Sequence, residues 1–131
     1  MAASFLAGVG KGASAPALII ERTGRMLASA VELADTSETR RRGLLGRDSL
    51  DLSAALIIAP CSAIHTAFMR FVIDVAFVDR SGRVLKVVHD LHPWRIAASF
   101  RAFAVIEMHR GSLRRSGVAV GDQVRVVQET K

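Results

Sequence analysis

Two acids in this 131-residue chain stand where a charge is hardest to keep. Asp74 lies in Phe71-Val72-Ile73-Asp74-Val75-Ala76-Phe77-Val78, and Glu107 in Phe103-Ala104-Val105-Ile106-Glu107-Met108. A carboxylate in so apolar a run is costly to bury unless a donor or a cation meets it. Arg47, Arg70 and His65 border apolar runs and are the cations expected to do so. Arginine offers a planar fork that takes a carboxylate through two hydrogen bonds, and His65 can carry a proton near neutral pH. Two readings follow. In one, a buried ion-pair network only ties strands together. In the other, Arg47, His65, Arg70, Asp74 and Glu107 line a pocket for a small polar or anionic ligand. Arg47 and Arg70 would then hold anionic groups, and the acids would orient them or accept from ligand hydroxyls. A pair of acids also suits acid–base chemistry. No nucleophile or metal set accompanies them, so whether a reaction occurs stays open.

Other reactive residues add little. Cys61 and His65 could form a nucleophile–base pair, but Cys61 follows an apolar run, where free cysteines are commonly inert. Cys61 and His65, with His89, His92 and His109, are ligand types that zinc accepts, yet no recognised ligand spacing joins them. No metal and no cofactor is expected. The formal charge of +6 favours polyanions as partners. Its only tight cluster is Arg40-Arg41-Arg42, and consecutive helical residues point in different directions, so the triplet makes no single stripe. Trp94-Arg95 is the one exposed-looking aromatic–basic pair. An interaction module for a protein or nucleic-acid partner, using this basic surface, is therefore the alternative to ligand binding.

The elements that must position these residues are mostly strands. Half the residues are hydrophobic and aromatics are 5%, so one aliphatic core is expected. Strands are expected over 17–21, 27–33, 54–59, 71–79, 83–89, 102–108 and 123–128. The turn Asp79-Arg80-Ser81-Gly82 makes a hairpin of the fourth and fifth, and Gly24-Arg25 makes one of the first two. Asp35 with Glu38 reads as a capping box opening a helix to about residue 45. Residues 61–70 read as irregular or a bulged strand, and 111–117 as a turn or short helix. The strand of Asp74 is apolar on both faces, hence central. The fold class is α+β and β-rich: a small barrel-like or folded, mainly antiparallel sheet of about seven strands with one early short helix.

Residues 1–16 are rich in Gly, Ala and Ser and read as a loose tail, with a single domain over 17–131. Ala13-Ser14-Ala15 fits a cleavage pattern, but no basic residue precedes the apolar stretch, so a tail is preferred over a signal peptide. One cysteine rules out an intrachain disulfide, and no apolar run reaches bilayer-spanning length. The expected location is cytoplasmic, with an exported form as the alternative. Oligomeric state is not legible.

The motifs also resemble the domain-of-unknown-function 192 family of small prokaryotic proteins. The resemblance rests on Thr39-Arg40-Arg41-Arg42-Gly43-Leu44-Leu45-Gly46-Arg47, on Ile64-His65-Thr66 with Met69-Arg70, and on Ile73-Asp74-Val75-Ala76-Phe77-Val78-Asp79. Val105-Ile106-Glu107 with Gly111, then Gly121-Asp122-Gln123-Val124, complete it over about residues 26–128. It implies one β-rich domain with an early helix and supplies no activity. The family's recurrent polar positions fall on Arg47, Arg70, Asp74 and Glu107, with Gly43 and Gly111 as backbone positions. The chain departs from the family pattern at Leu45, Val72 and His109-Arg110.

Overall fold

The computed structural model describes residues 4–7 and 16–128. In chain order its elements are β1 (Ala17–Ile20), β2 (Met26–Ala28), β3 (Ala30–Ala34), α1 (Ser37–Arg42), β4 (Ala54–Ile58), β5 (Ala63–His65), β6 (Ile73–Val78), β7 (Val84–Leu91), β8 (Ile96–Ala98), β9 (Ala104–His109), α2 (Ser112–Ser116) and β10 (Val124–Val127). They form three sheets, ordered β10-β1-β2, β3-β4-β9-β6-β7 and β5-β8. Only β3–β4 is parallel among the named pairs. The β-rich, mainly antiparallel class holds. The described residues form open sheets of ten strands with two short helices, rather than a barrel-like sheet of about seven with one.

The five-stranded sheet is covered on both sides, which is why β6 and β9 are apolar on both faces. One face, with Ile57, Ala76, Val78, Ile106 and Met108, packs against Leu18, Ile20, Leu27 and Val124 of the three-stranded sheet. The other, with Leu56, Ile58, Val75, Phe77 and Val105, packs against Leu44, Met69 and Ala97. All six residues of β6 are buried. The two hairpins form where the turns place them, β1–β2 and β6–β7.

Local differences have local causes. The strand expected over 27–33 breaks at exposed Ser29, so that β2 joins one sheet and β3 another. The helix starts one residue later than Asp35–Glu38 implies. Thr36 is the cap: its Oγ1 accepts from the Thr39 N–H at 3.1 Å, and Thr39 Oγ1 accepts from the Thr36 N–H at 3.0 Å. Two threonines thus satisfy each other's amides in the reciprocal manner of a capping box. Gly43, at φ 48°, ends the helix after six residues.

Of the expected tail, residues 1–3 and 8–15 lie outside the described residues. Residues 4–7 are attached rather than loose. The Phe5 N–H donates to the Arg80 carbonyl at 2.7 Å, and Phe5 and Leu6 pack on the core. Among the described residues no helix is long and apolar enough to cross a membrane.

Candidate functional site

Glu107 sits in the middle of β9, flanked by β4 and β6 with Leu56 and Val75 as its cross-strand neighbours. Those neighbours put its side chain in an apolar layer, and it is 3% exposed. No hydrogen bond meets its carboxyl among the described residues. Burial pushes this acid from the usual 4.5 up to about 7, and the positive field of Arg47 pulls weakly the other way. Among the described residues no fully sealed polar side-chain atom lacks a partner, so the Glu107 oxygens open onto free space.

That space is a cavity of about 180 Å³. Its walls come from the end of α1, from Ile58 to Cys61, and from β5 with Met69. Gly43 stands directly over the acid: a Cβ added there would lie 3.9 Å from Glu107 Oε1 and 3.8 Å from Ile58 Cδ1. Arg40, Arg41, Arg42 and His65 are among its lining residues. The Cys61 thiol also lines it, donating to the Ala63 carbonyl at 3.1 Å. Burial pushes this thiol up, with Glu107 adding to the rise and Arg40 opposing it. The direction is opposite to that of an activated nucleophile.

Asp74 belongs elsewhere. Its cross-strand neighbour is Met108, not Glu107. Side chains alternate along a strand, so Asp74 points to the face opposite Glu107. Its carboxylate, 0% exposed, accepts three backbone hydrogen bonds. The Asp90 N–H reaches Oδ1 at 3.0 Å, and the N–H groups of Gly111 and Leu113 reach Oδ2 at 3.0 and 3.2 Å. His89 Nδ1 lies 3.8 Å from Oδ2. Here β7 bulges, with Asp90 at φ 53°, so that an amide turns toward β6. Asp74 therefore fastens the bulge and the entry to α2 onto β6.

The expected pairing of the two acids with Arg47, Arg70 and His65 is not formed. Arg47 takes Glu32 in a fork, at 2.7 and 3.4 Å. Glu32 shares the Glu107 face, since Glu32, Leu56 and Glu107 stand in one row across β3, β4 and β9. Arg70 pairs with exposed Asp48 at 2.8 Å. Both arginines find carboxylates at the surface, where two long side chains meet without desolvation. Of the five residues the sequence singles out, the structure brings Glu107 and His65 into one cavity and places Arg47 near enough to act electrostatically. Asp74 and Arg70 stand apart. The Arg40–Arg42 triplet and Cys61 line the cavity although the sequence reading assigned them no site. The signal was the glycine directly after the triplet, a backbone position that lets α1 end against β9. His89, His92, His109 and Cys61 do not converge: among the described residues no three metal-ligating side chains come together.

The fold has relatives of known structure. A protein from Sinorhizobium meliloti 1021, described as a proposed transcription regulator, superposes with a TM-score of 0.75 at 21% identity, over 89% of this chain and 98% of that one. A Novosphingobium aromaticivorans protein of unknown function superposes with a TM-score of 0.71 at 25% identity, over 84% of this chain and 83% of its own. No curated protein matches the sequence. The family model of domain of unknown function 192, described as "Uncharacterized ACR", matches residues 18–126. The match takes in Glu107, Gly43 and every other residue of the cavity, and the chain belongs to this family.

Proposed function

We propose that this protein binds a small polar or anionic molecule in the cavity floored by Glu107. The observation that carries the reading is a carboxyl group 3% exposed, without a hydrogen-bond partner, opening onto a cavity. A buried polar group left unpaired costs about 1–3 kcal/mol. A ligand that supplies a donor or acceptor to Glu107 recovers that cost and so gains affinity at this one atom pair. Leu44, Ile58, Ile64 and Met69 favour an apolar body on the ligand. Arg40–Arg42 at the cavity wall favour an anionic group at its outer end. His65 lies within the same walls and adds a second polar contact. The occupant this describes has a hydrogen-bonding head, a short apolar middle and a negative tail.

The test is a thermal-shift screen of metabolites against the protein and its Glu107→Gln variant. A ligand at one hundred times its dissociation constant adds about 2.7 kcal/mol to stability. The reading expects at least one anionic compound that raises Tm in the native protein and not in the variant. A compound that raises both equally binds elsewhere. A screen flat for both contradicts the reading.

A further inference from the structure

We propose that the outward face of the β5–β8 ribbon is a docking surface for an anionic lipid bilayer. Ile96 is 80% exposed, Phe100 101%, Phe68 72% and Trp94 61%. One exposed apolar residue is ordinary, whereas several grouped together mark an interaction surface. Pairing and a ring contact place Ile96, Phe68 and Trp94 at one end of the ribbon, with Phe100 beyond the other. In the ribbon His65 stands opposite Ile96 and Ala63 opposite Ala98, while Ile64 and Ala97 pack on the core; Ala63 and His65 also edge the Glu107 cavity, so the docking face is carried by the β8 side, by exposed Ile96 and Ala98. At the His65–Ile96 end the rings of Phe68 and Trp94 meet edge to face, 4.6 Å apart. Phe100 follows directly beyond β8.

The backbone holds this arrangement at a cost. Phe68 and Trp94 both have φ 66°, a region bulky residues seldom occupy. Buried Thr66 fixes both turns. Its carbonyl accepts from the N–H groups of Met69 and Trp94, at 3.1 Å each, and its N–H donates to the Arg95 carbonyl at 2.8 Å. Its Oγ1 accepts from the Arg95 N–H at 2.8 Å and donates to the His92 carbonyl at 2.7 Å. A core residue thus braces two strained turns that push aromatic rings outward.

The charged residues that adjoin the patch in sequence are basic. Arg95 and Arg101 are the only charged residues between Asp90 and Glu107. Lys86 Nζ reaches the Ala98 carbonyl at 2.9 Å, beside the ribbon. Arg70 follows Phe68, and the acid nearest it, Asp48, is already paired with it. Projecting aliphatic and aromatic side chains with basic neighbours suit an interface with anionic headgroups above acyl chains. A second copy of this chain would set arginines against arginines.

The test is flotation of the full chain with phosphatidylcholine vesicles, with and without phosphatidylglycerol, at low and at physiological salt. The proposal expects binding only when phosphatidylglycerol is present, weakened by salt. Ile96→Ser with Phe100→Ser should lower vesicle affinity by at least about tenfold, and Arg95→Glu with Arg101→Glu should abolish it. All four positions are exposed, so the variants keep the fold, and a circular dichroism melt checks this. Glu107→Gln should bind vesicles as the native chain does, which separates this surface from the cavity. No binding to anionic vesicles at low salt overturns the proposal. So does binding that the serine variant leaves unchanged, or a dimer or oligonucleotide complex that the same variant removes while vesicles bind neither form.

Discussion

Asp74 and Glu107 lie on hydrogen-bonded neighbouring strands and yet face opposite layers, because Val75 and not Asp74 stands across from Glu107. One residue of register separates two different fates. On one face a carboxylate meets three backbone amides and becomes part of the frame. On the other a carboxyl meets none and opens onto a cavity.

The unpaired acid makes stability depend on pH. Unfolded, Glu107 releases its proton near the ordinary 4.5; folded, it holds it up to about 7. Between those values the native state binds a proton that the unfolded chain has lost, so stability falls as pH rises through this window and levels off above it. At 1.36 kcal/mol per pH unit the loss is about 3 kcal/mol at most. Urea unfolding at pH 4.5 and pH 8 should show this decline in the native chain, and Glu107→Gln should remove most of it and be the more stable form at pH 8.

Asp74 behaves in the opposite way when removed. Asp74→Ala strands three N–H groups, that of buried Leu113 and those of half-buried Asp90 and Gly111, and should cost about 3–5 kcal/mol in urea unfolding. Asp74→Asn should cost less, because its amide oxygen still accepts while its NH2 faces at least one donor. A folded Asp74→Asn protein should keep any ligand that depends on Glu107, which titration of that ligand would show.

Arg47 and Arg70 are surface partners of Glu32 and Asp48, so alanine at either position should change stability by less than about 1 kcal/mol. Arg47→Ala carries a second, more specific expectation. Its positive field favours the ionised form and holds the Glu107 pKa down, so its loss should raise the Glu107 midpoint, whereas Arg70→Ala should leave it in place. Carboxyl NMR titration of both variants separates them.

Thr66→Val keeps the volume of the side chain and deletes the hydrogen bonds its hydroxyl makes to the Arg95 N–H and to the carbonyls of His92 and Arg95. The stranded Arg95 N–H and His92 carbonyl should cost about 1–3 kcal/mol. Trp94 is the single tryptophan, so its emission reads directly whether the two strained turns loosen.

The central strands were legible because their residues are apolar on both faces, and the β6–β7 hairpin because Asp79 to Gly82 can only turn. The position of Asp74 and Glu107 in the core was equally visible, since burial follows from their neighbours in sequence. Their partners were not. Arg47 and Arg70 were the natural choices, but the donors that meet Asp74 are backbone amides, and a backbone amide has no residue type to read. The split of 27–33 depends on which sheet each half joins, a long-range choice. Which acid faces which layer depends on β6–β9 register, which one strand alone cannot fix. The cavity needed the end of α1 to lie against β9, and only Gly43 hinted at so close an approach.

The proposed ligand binding in the cavity depends on the buried Glu107 carboxyl, unpartnered among the described residues, and a carbon-detected NMR titration of that side chain measures the group itself. The predicted midpoint is about 7. A midpoint at the ordinary glutamate value near 4.5 would mean that the group is solvated or paired, and would contradict the account.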